Sequence, residues 1–390
     1  MSIKKLHIYA RKRNFCEDFC ININKNHFLK IAIPEYAYPY KFFMKIDIFN
    51  RRRNSQMAEN LSEYKELIAS IKAEAAKRII GQEQVIDGIL TALVCGGHIL
   101  LEGVPGLAKT LAVKTFAEIS GLDFKRIQFT PDLLPADVSG TLIYEQGTGR
   151  FTVRKGPVFT NVVLADEINR SPAKVQSALL EAMAEKQVTI GEETHALPQP
   201  FIVLATQNPI EQEGTYNLPE AELDRFLLKV MVPYPTAQEE VAIVKTAGKA
   251  NEVPVAKILS AQKLKEMQEL LNKVNCDDKL TEYIVSVVAA TRPVTEKKQV
   301  SKLAVRTVQK KDDISKYISF GASPRAGIAL LQCAKAHALF AGRDFVLPDD
   351  IKEVAPSVLR HRIVLSYEAA ADGVTSDDLI QKILDLMPLP

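Results

Sequence analysis

The segment LEGVPGLAKTL, residues 101–111, constrains the fold more than any other part of the 390-residue sequence. It follows the phosphate-binding pattern of glycine, four residues, glycine, lysine and threonine, except that Ala108 stands at the second glycine. The apolar run before it, residues 98–102, predicts a buried strand, and residues 110–120 are predicted to be helical. This strand–loop–helix context is the one that the pattern requires, and it predicts an α/β fold with a parallel sheet.

The loop residues have the chemistry of a phosphate site, in which backbone N–H groups and the positive end of the next helix hold the anion. Gly103 and Gly106 allow a tight turn. Lys109 supplies a charge for the β- and γ-phosphates, and Thr110 supplies a hydroxyl for Mg²⁺. Ala108 in place of the second glycine costs little if its φ is negative, because one methyl group need not block the amides. Taken alone, the loop has an alternative interpretation as a Gly/Pro turn before a core helix.

A second strand ends in two carboxylates. The run NVVLADE, residues 161–167, predicts a buried parallel strand that delivers Asp166 and Glu167 at its carboxyl end, where open α/β sheets bind ligands. Asp166 would hold the Mg²⁺ shell, and Glu167 would orient and polarise an attacking water. The alternative for this segment alone is a strand that ends at an acidic turn.

A third strand, residues 201–206, is followed by Gln207, Asn208 and Pro209. An amide at the tip of a buried strand suits a hydrogen bond to a γ-phosphate or a water better than it suits packing. Its alternative is an ordinary Asn-Pro turn.

Five motifs in this order resemble those of the AAA+ ATPases and, within them, the MoxR family. They are GVPGLAKT (103–110), VVLADEINRSP (162–172), ATQNP (205–209), LPEAELDRF (218–226) and GASPRA (321–326), with IIGQE (79–83) similar to the motif beside the adenine. The resemblance covers about residues 60–390. It implies an AAA+ parallel-sheet core with hairpin insertions, followed by a small all-α lid domain. It also identifies Ala108 as usual for this family.

The resemblance implies roles for individual residues. Lys109 and Thr110 match Walker A, Asp166 and Glu167 match Walker B, and Asn208 matches sensor 1. ATP is expected to be bound by Gly103, Val104, Pro105, Gly106, Leu107, Ala108, Lys109, Thr110 and Leu111, together with Ile80, Gly81 and Arg325. Mg²⁺ is expected to be held by Thr110 and Asp166.

Two arginines complete the implied site. Arg225 matches the arginine finger that reaches a neighbouring subunit's nucleotide, although an Asp-Arg pair is often a surface ion pair. Arg325 matches sensor 2; it follows Ser323 and Pro324, which are suited to a helix start. A guanidinium in the first turn opposes the helix dipole, which favours a phosphate role for Arg325. Arg170 is a weaker candidate for an interface.

The rest of the body indicates its domain organisation. Residues 133–158 and 186–201 each predict a hairpin, the first around Gln146–Gly149 and the second around Gly191–Thr194. Helical periodicity is expected over 61–80, ending at Gly81, and again after Pro235. We predict an α/β nucleotide-binding domain over 57–233 and a helical lid over 234–390, with a solvated helix in the basic connection 293–316.

Residues 1–56 differ from the body. They carry twelve Lys/Arg and four Asp/Glu, a net of +8, so the other 334 residues carry 3 − 8 = −5. We interpret them as an N-terminal extension, either non-native translated sequence or disordered. Five scattered cysteines favour a reduced, cytoplasmic chain, and no window offers the ~18 apolar residues of a membrane span. We expect no metal held by the protein alone.

Three functions are consistent with these observations. The resemblance favours a chaperone-like remodelling ATPase, in a homo-hexamer, that matures or assembles client proteins, with von Willebrand factor A domain partners. A ring-forming nucleic-acid motor or loader is second, because Arg150, Arg154 and Lys155 lie on the first hairpin; the acidic body argues against it. A nucleotide-gated regulator is third, since there is no appended helix-turn-helix.

Overall fold

The fold was analysed in a computed structural model. It describes residues 8–13, 16–24, 27–33, 61–147, 149–209, 214–246, 249–293 and 314–390. The chain divides into two units, Met1–Ser62 and Glu63–Pro390. In the first unit three strands form an antiparallel meander: β1 (Ile8–Arg13), β2 (Cys16–Asn24) and β3 (His27–Ile33). The interpretation of residues 1–56 as a non-native or disordered extension stays a prediction.

The second unit alternates helices and strands. Its helices are α1 (residues 61–76), α2 (Glu83–Cys95), α3 (Lys109–Ser120), α4 (Pro135–Ser139), α5 (Ala173–Glu185), α6 (Glu220–Leu223), α7 (Ala237–Lys245), α8 (Ala261–Leu271), α9 (Asp278–Ala290), α10 (Pro324–Phe340), α11 (Pro348–Leu359), α12 (Tyr367–Ala371) and α13 (Ser376–Leu386). Its strands are β4 (Ile99–Glu102), β5 (Phe124–Gln128), β6 (Gly140–Glu145), β7 (Arg150–Lys155), β8 (Val162–Asp166), β9 (Gln187–Ile190), β10 (Glu193–Ala196), β11 (Ile202–Gln207), β12 (Leu228–Met231), β13 (Ile318–Phe320) and β14 (Val364–Leu365).

Five of these strands form the parallel sheet that the sequence predicts, in the order β12-β4-β11-β8-β5. The three central strands are runs of small and branched apolar residues, and they are buried because helices cover the sheet. The main hydrophobic cluster packs α5 and the loops after the strands against one face, with Phe129, Phe201 and Phe226 among its fully buried side chains. The order places the carboxyl ends of β4, β11 and β8 side by side.

Two antiparallel hairpins project from this core, as predicted. The first joins β6 and β7, with Tyr144 opposite Phe151, and is preceded by the short helix α4. The second joins β9 and β10. Its turn is tighter than expected: Glu193 and Thr194 already pair with Ile190 and Thr189, so the turn is only Gly191 and Glu192, with φ +65° at the glycine.

The first helix of the body differs from the expectation. It ends at residue 76, and Gly81, expected to end it, lies in a bend with φ +72°. The residues between them form a turn closed by Arg78, whose N–H donates to the Ala75 carbonyl at 3.1 Å. Ile79 is buried, and its N–H still donates to the Ala75 carbonyl at 3.0 Å, an i to i−4 bond of the helical type. The apolar periodicity therefore extends as far as this last helix-type hydrogen bond, beyond the end of the helix itself.

The segment after Pro235 is helical, as predicted, with α7 to α13, and it also contains the short antiparallel pair β13–β14. Ser323 caps α10 by accepting the N–H of Arg325 at 3.2 Å, and Asp350 accepts the Leu347 N–H at the start of α11. The helix expected in 293–316 falls mostly outside the described residues. The 233/234 boundary lies between β12 and α7 and stays a prediction. In the segments described, none of the helices has the length and apolar character needed to cross a bilayer.

Candidate functional site

The loop that the sequence predicts to bind phosphate connects β4 to α3 and is held by its neighbours in the sheet. The Gly103 N–H donates to the Gln207 carbonyl at 3.2 Å. A side chain at Gly103 would meet the Val232 carbonyl oxygen at 2.9 Å, so the close approach of the next strand requires glycine there. Gly106 has φ +86°, and a Cβ there would meet no neighbouring atom. Glycine is therefore favoured at this position by the backbone conformation of the turn and not by lack of space.

The condition under which Ala108 would cost little is not met. It has φ 55° and ψ 20°, in the left-handed region, immediately before the first helical residue of α3. The loop must reverse direction to present its amides and then enter the helix, and this geometry favours a glycine at the turning residue. For an alanine the left-handed conformation costs about 1–2 kcal/mol, so the departure from the phosphate-loop pattern is a strained position.

Lys109 lies at the centre of the site. Its ammonium donates to the carbonyl oxygen of Gly103 and to that of Gln207, the latter at 3.3 Å. It is therefore tied to both its own loop and the end of β11. Burial lowers the pKa of Lys109, while the charges of Asp166 and Glu167 oppose that shift.

The oxygens expected to hold Mg²⁺ converge. The Thr110 hydroxyl donates to Oδ2 of Asp166 at 3.2 Å, and the Thr206 hydroxyl donates to Oδ1 at 2.6 Å. Asp166 is the last residue of β8, and its side chain is only 9% exposed. A hydroxyl and a carboxylate oxygen beside a phosphate loop are a donor set that Mg²⁺ accepts, because this ion takes few protein ligands and completes its shell with phosphates and water. The residues present therefore fit the ion.

Two arginines pair with the carboxylates and a glutamine donates a hydrogen bond to one of them, none of which the sequence interpretation assigned here. Arg126 donates to Asp166 Oδ2 through Nε at 3.0 Å and Nη2 at 2.6 Å. Gln128 accepts from Arg126 at 2.5 Å and donates to Glu167 Oε2 at 3.0 Å. Arg170 pairs with the same Glu167 oxygen at 3.2 Å. The only sequence cue was the spacing of two polar residues, 126 and 128, on one face of an edge strand.

Glu167 is in an unusual backbone conformation, with φ 56°. Its N–H donates to the Thr206 hydroxyl at 2.8 Å, the same hydroxyl that bonds Asp166. The non-glycine residues with positive φ in the described chain are Ala108, Glu167 and Lys186, and two of these flank the phosphate site. Strain of this kind is concentrated where a fold positions reacting groups.

Asn208 follows β11 and is buried, 5% exposed. Its carbonyl accepts from the Asn169 side chain at 3.4 Å. The preceding residue, Gln207, is the one whose carbonyl holds Lys109. The structure thus brings Lys109, Thr110, Asp166, Glu167 and Asn208 to neighbouring strand ends.

Arg225 and Arg325 lie elsewhere in the subunit. Arg225 is exposed and donates to the Leu180 carbonyl of α5 at 3.3 Å. Arg325 is 66% exposed, 3.8 Å from the Asp224 carboxylate. Arg225 therefore contacts α5, and Arg325 lies beside Asp224. Their finger and sensor 2 roles stay predictions.

The segment expected beside the adenine contacts the connection between core and lid. The Gln82 side chain donates to the Pro233 carbonyl at 3.1 Å. A side chain at Gly81 would overlap the flexible end of the Glu239 side chain of α7, which would have to move, and the φ of +72° itself favours glycine. Ile80 and Gly81 are half-buried next to this connection. A ligand here would lie beside the segment that connects β12 to α7.

Lid and core are also joined by Arg362, which the sequence interpretation missed. Its side chain is 3% exposed and pairs with Asp224 at 2.7 Å, while Nη2 donates to the Phe226 carbonyl at 2.6 Å. His361 also contacts the Phe226 carbonyl, at 3.0 Å. Asp224 accepts in addition from Ser323 at 3.0 Å. One carboxylate next to Arg225 therefore contacts two separate parts of the lid.

Two family profiles match separate parts of the second unit. A profile of the ATPase family associated with various cellular activities (AAA) matches residues 98–228, and an AAA lid domain profile matches residues 310–383.

Whole-length relatives were also found. Chaperone MoxR1 of Mycobacterium tuberculosis is 48% identical over 318 residues, which is 81% of each chain. The Bacillus subtilis protein YeaC is 41% identical over 84% of this chain and 97% of its own. A crystal structure of a Cytophaga hutchinsonii protein described as an ATPase is 48% identical, with a TM-score of 0.76, and covers 87% of this chain and 99% of its own.

Proposed function

The chain belongs to the MoxR family of AAA+ ATPases, and from this premise we propose that it hydrolyses ATP to ADP and phosphate with Mg²⁺, and that the cycle matures or assembles client proteins. The observation that carries the proposal is the convergence of Lys109, the Thr110 hydroxyl and the Asp166 carboxylate at adjoining strand ends. That arrangement suits phosphoryl transfer, in which positioning and electrostatic stabilisation supply most of the catalysis.

The proposed mechanism assigns one task to each residue. The loop amides and Lys109 hold the phosphates, and Thr110 and Asp166 hold Mg²⁺, which when bound neutralises phosphate charge. Glu167 orients the attacking water and accepts its proton, after exchanging its contacts with Gln128 and Arg170. Asn208 fixes the water or the γ-phosphate by hydrogen bonding.

The active form in this proposal is a homo-hexamer. Arg225 is exposed and contacts α5 of its own subunit, so it is available to stabilise developing charge at a neighbouring nucleotide. Such a finger is worth about 10³-fold or more in rate. Arg325 would respond to nucleotide from the first turn of α10, where Ser323 caps the helix.

The proposed partners are client proteins, including proteins with a von Willebrand factor A domain. A relative is named a chaperone. The hairpin β6–β7 supports a client contact because it exposes two aromatic side chains at its tip: Tyr144 (52%) and Phe151 (68%), with ring centroids 5.3 Å apart. We place the activity in the cytoplasm, in agreement with the unpaired state of the described cysteines, Cys95, Cys276 and Cys333.

The first test is phosphate release from ATP by the purified protein, with Lys109→Ala as the inactive control. A Glu167→Gln variant should bind ATP with Mg²⁺ and hydrolyse it very slowly, which holds the client-bound state. Tagged Glu167→Gln loaded with ATP would then be passed over host lysate, beside Lys109→Ala. A protein retained only by the loaded variant supports remodelling. Retention of nucleic acid instead would favour a motor, and an absence of any hydrolysis would refute the proposal.

A further inference from the structure

The Arg126 guanidinium contacts the carboxylate oxygen that a divalent ion at this site would need. Asp166 Oδ1 is occupied by Thr206, and Oδ2 accepts both Arg126 contacts as well as the Thr110 hydroxyl. Oδ2 is thus the oxygen that faces Thr110, and an ion shared between these two residues must approach it. Arg126 and Mg²⁺ compete for one oxygen of a carboxylate that is only 9% exposed.

The register of the sheet explains why the guanidinium reaches that oxygen. β5 pairs in parallel with β8, with Arg126 beside Leu164 and Gln128 beside Asp166. Because side chains alternate along a strand, residues 126 and 128 share the face on which Asp166 projects, and Lys125 points to the opposite face. The Arg126 side chain is 49% exposed and lies on an edge strand, so it can leave without disturbing the core.

We propose that Arg126 is a positioning residue that stands in for Mg²⁺ at Asp166 and so sets how strongly nucleotide binding depends on the ion. Without Mg²⁺, the phosphates approach two carboxylates, Asp166 and Glu167, and the resulting repulsion weakens binding. Arg126 neutralises Asp166. With Mg²⁺ the guanidinium yields Oδ2 to the ion's shell. The inference rests on the proposed nucleotide binding, and it adds a residue that the motifs do not contain.

The quantity to measure is the ratio of the ADP dissociation constants in EDTA and in excess Mg²⁺, by equilibrium titration with a fluorescent ADP analogue. Arg126→Gln should raise this ratio about tenfold, because binding in EDTA weakens while the ion loses a competitor; a tenfold change is about 1.4 kcal/mol. Lys125→Gln removes the same charge from the next residue and should leave the ratio unchanged. Arg126→Lys keeps the charge but not the two-nitrogen contact and should give an intermediate ratio.

The outcomes separate this inference from the proposed function. Equal ratios for the wild type and Arg126→Gln, with both binding ADP in Mg²⁺, would overturn the inference and leave the proposed function intact. Loss of ADP binding by Arg126→Gln even in Mg²⁺, with unchanged far-UV circular dichroism, would also overturn it, since the residue would then be an essential ligand and not a replacement for the ion. A wild type that binds no ADP in Mg²⁺ would refute the proposed function itself.

Discussion

Replacing Ala108 with glycine should stabilise the protein, although it removes a side chain from the phosphate loop. Ala108 is exposed, so its methyl group contributes little packing, and its φ of 55° is unfavourable for an L-residue by about 1–2 kcal/mol. Glycine adopts this conformation freely but gains about 0.4–1 kcal/mol of conformational entropy in the unfolded chain. The difference predicts a rise of about 1 kcal/mol in the free energy of unfolding.

The matched control is Ala112→Gly, the same chemical change one turn further along. Ala112 is 2% exposed in the interior of α3, where glycine loses packing and helix propensity together. We expect it to destabilise the protein by about 1 kcal/mol or more. The two variants should therefore differ by about 2 kcal/mol, with opposite signs relative to the wild type.

The assay is urea unfolding without nucleotide, followed by far-UV circular dichroism because the chain contains no tryptophan. Ala108→Gly should move the midpoint upward and Ala112→Gly downward, with the same dependence on urea concentration. If Ala108→Gly lowers the midpoint as much as Ala112→Gly does, the left-handed backbone at this position is not a source of strain and the reasoning fails.

Three further perturbations test other parts of the structure. Mixing Glu167→Gln with Arg225→Ala should restore ATP hydrolysis that each variant lacks alone. The Glu167→Gln subunit supplies Arg225, and the Arg225→Ala subunit supplies a site with an intact Glu167. A mixture as inactive as its components would rule out action between subunits. Arg362→Met should lower the free energy of unfolding by about 3 kcal/mol, because buried carbonyls and Asp224 lose their donors, and a wild-type urea midpoint would contradict this. Burial lowers the pKa of His98 from 6.5 to about 4, so between these pH values the unfolded chain binds a proton that the folded chain does not. The free energy of unfolding should therefore fall by about 3 kcal/mol as the pH drops from 6.5 to 4. His98→Gln should make this decline shallower in urea titrations at several pH values, and an identical decline would refute the assignment.

The strands and loops of the site were predictable because each is encoded locally. Apolar runs that end in polar residues indicate buried parallel strands, and residues 162–167 and 201–208 are both of this kind. A shared sheet then brings their carboxyl ends together without further information. The order of motifs along the chain was sufficient to place Lys109, Asp166 and Asn208 at one edge.

The contacts that the sequence did not predict depend on pairing between distant segments. Arg126 meets Asp166 only because β5 lies beside β8 in one register, and Arg362 meets Asp224 across 138 residues. Neither pair has a spacing that a linear pattern can show. The φ of Ala108 could not be read from the sequence for a related reason: alanine intrinsically prefers a negative value, but the turn into α3 determines the conformation.

Three of the candidate site residues have partners within the chain, and this has a consequence for the proposed cycle. Lys109 is held by two backbone carbonyls, Asp166 by Arg126, and Glu167 by Gln128 and Arg170. Under the proposed function, nucleotide and Mg²⁺ would replace these contacts, so part of their binding free energy would go into rearranging the strand ends and not into affinity. A ligand can shift a conformational equilibrium only by its differential affinity for the two states, and contacts that must be exchanged are the source of such a difference. A site whose charged side chains already have partners within the chain is therefore the arrangement expected of a protein in which nucleotide binding drives a conformational change.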